Sequence, residues 1–240
     1  MISFYITTHN SAHTLKQLLS DFSKQTCRDF EVVIVDAASD DDISFVVSKM
    51  QNIIDVRLYR VGYLSIYAGL NRALEVCRGR HCICLGSDDR ITDVNYVEKL
   101  RAQKLDLETM YYTNLDILRN RSFISKKTFP ELSEFQRKYG GLAHLHHQSV
   151  IIPRWYLMEQ QYDEKYLYYA DLDLIFKAQL ELPVQQLNIS GILFNASGTT
   201  SSLSNSLKRI QEVLIIRKKH TLFPFHFRLL ASFIRQVVTH

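Results

Sequence analysis

Glycine is scarce in this chain, with eight among 240 residues, and none of the eight builds a phosphate-gripping loop. No GxxxxGK(S/T) occurs and no GxGxxG follows an apolar strand-like run, so P-loop and dinucleotide-binding readings have no support. Cysteine is scarce as well. Cys27, Cys77, Cys82 and Cys84 form no pair of CxxC motifs, which speaks against a zinc site. Cys82 and Cys84 fall inside the apolar run HCICL, where alternation turns both sulfurs to one side of a buried strand. They read as reduced core cysteines, in keeping with a reducing cytoplasm. No apolar run approaches the ~20 residues that a membrane-spanning helix needs. Met1-Ile2-Ser3 leads straight into a strand-like run, without a basic region or a small-residue cleavage site. A cytoplasmic chain is expected.

What the chain does have is the make-up of a folded domain. Hydrophobic residues are 46% and charged residues 22%, which excludes disorder. The length suits one large domain, and neither repeats nor a low-complexity linker divide it. The formal net charge of +4 is unevenly spread. From Leu207 onward seven Lys and Arg residues stand against Glu212 alone, so the body is slightly acidic and the tail basic. No module interleaves basic and aromatic residues for nucleic acid, and none is expected as a partner.

The first half alternates strand and helix signals. Ile2–Thr7, Glu31–Asp36, Asp55–Arg60 and His81–Leu85 read as strands. Between them, Leu15, Leu18, Leu19 and Phe22 mark one helix, and Ile43, Val46, Val47 and Met50 a second. Ile66, Leu70, Ala73, Leu74 and Cys77 mark a third. Short apolar strands alternating with amphipathic helices predict an α/β fold with a mostly parallel, covered sheet. Such sheets bind ligands at the carboxyl ends of their strands. Beyond about residue 115 the pattern loosens. Residues 117 to 130 predict a hairpin or edge strand, and Glu131–Leu142 a loop. Gln148–Ile152, Val184–Asn188 and Gly191–Phe194 predict strands; Ala170–Leu180, Ser202–Lys219 and Phe225–Val238 predict helices.

Two acidic clusters sit where strands should end. Asp36 closes EVVIVD ahead of Asp40, Asp41 and Asp42, and Asp88-Asp89 close HCICLGSDD. Carboxylates gathered on one sheet edge call for a hard cation such as Mg²⁺ or Mn²⁺. Asp40–Asp42 read more simply as caps for the helix that follows them.

In these segments the sequence resembles the family 2 glycosyltransferases of the GT-A fold, from residue 2 to about 220. Ile2–Asn10 resembles their opening strand and PTYN turn, and Gln25–Val32 resembles QTYxxFEV. Val35–Asp41 is similar to VDxGSxD, and Ile66–Ala73 to the IYDAMNKG segment of bacterial exopolysaccharide and colanic-acid-type enzymes. Leu85–Asp89 falls on LDxDD, His147-Gln148-Ser149 on HQS, and Ala170–Asp173 on ADYDL. Three positions depart from the pattern. Gly86 stands where the metal motif has its first Asp, Ala38 replaces a turn glycine, and Ala68 replaces an Asp.

The resemblance implies an inverting, metal-dependent glycosyltransferase of bacterial surface polysaccharide assembly. It would use a nucleotide-sugar donor, a UDP-sugar first, and a glycan or polyprenyl-lipid-linked acceptor. It implies Asp171 as the general base for the acceptor hydroxyl and Asp36 as the reader of the nucleotide base. Thr8, Asn10, Asn71 and Ser87 would serve the phosphates and ribose. Asp88 would hold the metal, with Asp89 and His147 as further candidates. Asp173 reads as structural, and His144 and His146 as lesser candidates. Tyr166, Tyr168 and Tyr169 fit either sugar stacking or packing. Two other readings stay open: a sugar-phosphate nucleotidyltransferase, although its GxGxR-type loop is missing, and a non-catalytic sugar-nucleotide-binding or partner-binding relative.

The expected layout is a catalytic domain over residues 1–220, with a nucleotide-binding half to 115 and an acceptor half after it. Residues 221–240 would form an amphipathic helix. Its apolar stripe from Phe225 to Val238, next to Arg217-Lys218-Lys219, suits peripheral contact with the inner face of a cytoplasmic membrane, or packing on the body or on a second subunit. A homo-oligomer is thus left open.

Overall fold

The computed structural model describes residues 1–119, 122–127, 142–143, 145–195 and 206–220. Strands β1 (Ile2–Thr8), β2 (Phe30–Ala37), β3 (Val56–Val61) and β4 (His81–Cys84) alternate with helices α1 (Ala12–Ser23), α2 (Ile43–Ser48) and α3 (Ile66–Val76). Then come β5 (Arg90–Ile91), α4 (Tyr96–Ala102), β6 (Met110–Tyr112), β7 (Leu115–Arg119) and β8 (Ser122–Lys127). The rest of the described chain holds β9 (Val150–Pro153), α5 (Arg154–Gln160), α6 (Ala170–Glu181), β10 (Val184–Gln186), β11 (Ile192–Asn195) and α7 (Ser206–Lys219).

The seven-stranded sheet runs β10-β6-β9-β4-β1-β2-β3. Its pairings are parallel except those of β9, which is antiparallel to both β4 and β6. This is the α/β, mostly parallel architecture that the strand–helix alternation predicts. A second sheet, β5-β11-β7-β8, includes the β7–β8 hairpin, which matches the expectation for residues 117 to 130. In β1 and β2 nearly every residue is buried, which is why both read as unbroken apolar runs. On α1 the stripe Leu15, Leu18, Leu19 and Phe22 is fully buried, and Phe22 meets Phe4 edge to face at 4.8 Å. The approach of α3 to β1 is set by one glycine: a Cβ on Gly69 would lie 2.3 Å from Oγ1 of Thr7.

The order β3-β2-β1-β4 reverses direction of growth between β1 and β4, and a crevice opens there at the carboxyl ends. Cys82 and Cys84 are buried, unpaired thiols on one side of β4, as alternation predicts. Four short elements, β5, α4, β6 and α5, are not legible in the sequence. Their supports are distant. Gln25, for example, accepts the Val97 N–H of α4 at 3.1 Å across 72 residues and donates to the Asp93 carbonyl at 3.0 Å.

Two expectations are corrected. The Gln148–Ile152 strand begins later, because Ser149 turns back on the His146 carbonyl through its N–H at 2.9 Å and its hydroxyl at 2.7 Å. His147–Ser149 is a 3-10 turn and the strand follows it. The Asp40–Asp42 run does not cap α2 through its side chains: Asp42 makes no such bond, while Asp41 accepts the Ala12 N–H of α1 at 2.7 Å. The loop expected over residues 131–142, apart from Leu142, lies outside the described residues. So do His144 and the helix expected over Phe225–Val238. Among the described residues, no helix is long and apolar enough to cross a membrane.

Candidate active site

A cleft of about 700 Å³ opens at the carboxyl ends of β1 and β4. The strands deliver Thr7 and Thr8 on one side and Cys84 to Asp88 on the other, and α3 adds Ile66, Tyr67 and Leu70. His147 from the 3-10 turn and Asp171 from the first turn of α6 complete the wall together with Tyr168, Tyr169 and Arg209.

Asp171 is the most closely supported carboxylate in the cleft. One oxygen lies 2.8 Å from Nδ1 of His147, and the other accepts the Tyr67 hydroxyl at 3.1 Å. Burial pushes the Asp171 carboxyl up, but the His147 hydrogen bond and charge, with the Tyr67 donor, outweigh it and hold the group below its ordinary range. His147 shows the complement: burial pulls it down, and Asp171 lifts it above its ordinary value. The carboxylate is therefore kept charged inside a partly enclosed space.

Asp88 faces the cleft half-buried, with Oδ2 taking a hydrogen bond from the Asn195 amide at 3.3 Å. Burial raises its pKa. Asp89 is buried and faces elsewhere: it accepts the Gly86 N–H at 2.7 Å and the Asn195 N–H at 3.3 Å. Burial first, then the charge of Asp88, pushes its carboxyl up to about 7. Gly86 lies between the two. A Cβ there would come within 2.9 Å of the Asp88 carboxylate and 3.2 Å of the Asp89 carboxylate. Among the described residues no three His, Cys, Asp or Glu side chains converge into a cage for a metal. Mg²⁺ and Mn²⁺ in nucleotide sites need fewer protein ligands, commonly one or two carboxylates plus substrate phosphates. Asp88 fits that role, whereas Asp89 is turned into the scaffold and His147 is engaged by Asp171.

The nucleotide candidates divide. Thr8 and Ser87 line the cleft. Asp36 lies beneath it, fully buried, accepting the Ser39 hydroxyl and Nε of Arg60, the latter at 3.0 Å. Asn10 is exposed, in a left-handed turn at φ 50°, and staples two loops: its backbone N–H donates to Ser39 Oγ and its side-chain Oδ1 accepts the Asp40 N–H, both at 2.8 Å. Asn71 is turned away from the cleft. Its amide donates to the Tyr162 carbonyl at 3.0 Å and accepts the Tyr162 N–H at 2.8 Å, clamping the chain that leads to α6. For Asp36, Asn10 and Asn71 the structure thus shows bonds that shape the loops, because each polar atom meets a nearby backbone or side-chain partner first.

Among the remaining candidates, Asp173 is structural, bonded to Lys219 at 2.7 Å and to His220 at 2.9 Å. His146 packs against the Phe194 ring at 5.3 Å. Tyr166 sits in the packing between helices, while Tyr168 and Tyr169 reach the cleft. Three contributors escape the sequence reading. Tyr67 lies inside the IYAGLN segment but carries no signal of its own, and Arg209 and Glu212 count there only as tail charges.

Residues 3–167 match the family model described as glycosyl transferase family 2. Over 104 residues the chain is 30% identical to a PGL/p-HBAD biosynthesis glycosyltransferase of Mycobacterium tuberculosis, covering 42% of this chain and 41% of the relative. Over 133 residues it is 29% identical to the UDP-Glc:alpha-D-GlcNAc-diphosphoundecaprenol beta-1,3-glucosyltransferase WfgD of Escherichia coli, covering 55% of this chain and 52% of the relative. The chain thus spans about half the length of these curated relatives or less. Its fold is similar to that of S. aureus TarS 1-349 in complex with UDP-GlcNAc, with a TM-score of 0.72 at 18% identity, over 99% of this chain and 70% of the other.

Proposed function

The chain belongs to glycosyl transferase family 2, and from that membership we propose that it transfers a sugar from a nucleotide-sugar donor to a hydroxyl of a glycan or lipid-linked acceptor. The observation that carries the proposal is the Asp171 carboxylate, kept charged by His147 and Tyr67 in the same cleft as Asp88. The family sets aside the nucleotidyltransferase alternative.

In this reading Asp171 accepts the proton of the acceptor hydroxyl as that oxygen attacks the anomeric carbon. The new C–O bond forms opposite the breaking bond to the diphosphate, so a single displacement inverts the configuration and releases the nucleoside diphosphate. His147 fixes the direction in which the Asp171 lone pairs point, and Tyr67 holds the second oxygen. Arg209, a guanidinium lining the cleft against the Tyr169 ring, would supply positive charge to offset that of the diphosphate. Ser87 would provide a neutral donor for the donor nucleotide, and Thr8, whose hydroxyl pairs with that of Ser11, lines the cleft beside it. A divalent cation, held by Asp88 together with the diphosphate, would offset charge on the leaving group. Asp36 and Arg60 would act on the nucleotide base by shaping the loop beneath it.

The names of the relatives support a bacterial glycolipid or polysaccharide setting and a UDP-linked donor. A lipid-linked acceptor would place the chain at a membrane surface, where the exposed Lys208 and Lys218 of α7 and the basic tail would meet anionic headgroups. The deciding experiment measures UDP release from UDP-glucose and UDP-N-acetylglucosamine with and without Mn²⁺. UDP release that requires Asp171 supports the proposal. Donor binding without turnover, in the presence of membrane extracts as acceptor, would leave a sugar-nucleotide-binding relative as the reading.

A further inference from the structure

Helix α7 lies beyond the residues that carry the family match, yet it bonds to the cleft wall and to the helix behind it at three heights. At its start Arg209 lines the cleft, and its Nε donates to the Tyr169 hydroxyl at 3.3 Å. One turn later the Glu212 carboxylate accepts three consecutive backbone N–H groups: Leu167 at 2.7 Å, Tyr168 at 2.9 Å and Tyr169 at 3.2 Å. At its end Lys219 and His220 hold Asp173 at 2.7 and 2.9 Å.

Those three N–H groups belong to the rim that leads directly into α6. Tyr169 is the N-cap residue of α6 and makes no side-chain cap of its own. A helix start leaves its first N–H groups short of partners and carries partial positive charge, so an ionised carboxylate bonded to the incoming backbone is well matched to it. The base candidate stands two residues after Tyr169, and Asp173, which α7 grips at its other end, stands two residues after that. Leu167 is 57% exposed, so its own side chain does little to fix the start of this stretch, while the Tyr169 ring packs on the cluster beside α7. Charge-assisted hydrogen bonds donated by its three N–H groups to Glu212 fix its backbone.

We propose that Glu212 is a positioning residue for the cleft: by holding the backbone of residues 167 to 169 it sets both the Tyr168–Tyr169 wall and the direction of Asp171. The proposal rests on the transfer reading above for its catalytic half. It assigns to α7, which starts beyond the matched family region, the task of setting the cleft wall next to Asp171.

The test uses the full chain with Glu212→Ala and Glu212→Gln, beside Asp171→Asn. Hydrogen exchange followed by mass spectrometry reads the amides of residues 167 to 169 directly. Glu212→Ala should speed their exchange by at least ~10-fold while β2 stays protected, because local opening there costs less than global unfolding. Glu212→Gln, which keeps an oxygen of the same reach, should fall between. UDP release from UDP-glucose or UDP-N-acetylglucosamine, whichever is turned over, should drop ~10-fold in kcat for Glu212→Ala with donor KM within about two-fold, as for a misaligned base. Unchanged exchange would overturn the proposal. So would faster exchange with unchanged kcat, or a loss carried wholly by donor KM. Turnover surviving in Asp171→Asn would instead remove the base assignment. If the unsubstituted chain released no UDP, the transfer reading and the catalytic half would fall together, and the exchange data would still decide whether Glu212 holds the rim.

Discussion

Nδ1 of His147 stands 2.8 Å from Oδ2 of Asp171, joining a 3-10 turn before β9 to the first turn of α6. The pair makes Asp171 a charged acceptor aimed into the cleft. We expect Asp171→Asn to lower turnover at least ~100-fold, since it keeps shape but cannot take a proton. Affinity for UDP, measured by calorimetry, should change little. Turnover within a few-fold of the parent would refute the role.

Asp88→Ala should abolish any Mn²⁺-dependent gain in UDP affinity, because the neighbouring carboxylate of Asp89 is bonded to Gly86 and Asn195. Titration of UDP in Mn²⁺ and in chelator measures the difference for parent and variant. An equal metal effect in both would move the metal away from Asp88.

Gly86→Asp would restore the carboxylate that resembling sequences carry, but into a crowded place. Its Cβ would lie 2.9 Å from Asp88 Oδ1 and 3.2 Å from Asp89 Oδ2. In chelator we expect the variant to lose on the order of 2 kcal/mol of stability from like charges. Mn²⁺ should restore it, since a ligand at 100 times its Kd adds about 2.7 kcal/mol. Thermal melts read both effects. A variant as stable as the parent in chelator, with no response to Mn²⁺, would show that the added carboxylate does not share a site with Asp88.

Glu31 gives the clearest dependence of stability on pH. Its side chain is fully buried, taking hydrogen bonds from Ser3, from Arg57, and from both the backbone and the side chain of Arg78. Burial alone would raise its pKa, yet these donors lower it from 4.5 to about 2. The folded state therefore holds the proton less tightly than the unfolded one. The stabilisation is complete above the unfolded value and fades as pH falls toward about 2. The shift corresponds to about 3 kcal/mol. Glu31→Gln should be less stable than the parent at neutral pH by an amount of that order, and the gap should close in acid. Denaturant unfolding at pH 7 and pH 3 tests it, and a gap independent of pH would contradict the assignment.

The tail prediction comes from the sequence. The full chain should pellet with anionic liposomes at low salt, and a chain ending at residue 222 should stay folded and in solution. Equal pelleting, or unfolding of the shorter chain, would turn the tail into a packing element. Lys219 contributes less than its position suggests, because it is bound to Asp173.

How much the sequence determined can be read from particular residues. The strands β1, β2 and β4 and helices α1 and α3 were legible because each buries a continuous run or a single stripe, and burial imposes that periodicity on the sequence directly. Asp88 and Asp171 stood out as members of ordered motifs, and both line the cleft; Asp173 read as a structural neighbour and is bonded to Lys219 and His220. Tertiary structure alone decided which polar atoms were already taken. Asn71 spends its amide on Tyr162, Asp41 caps α1 rather than α2, and Asp89 turns toward Gly86 and Asn195. It also decided that Tyr67 and His147 share Asp171, and that Glu212 binds a rim more than 40 residues upstream. The physical reason is range. Apolar burial leaves a repeating local pattern, whereas a hydrogen bond depends on a few tenths of an ångström between residues that the chain brings together only when it is folded.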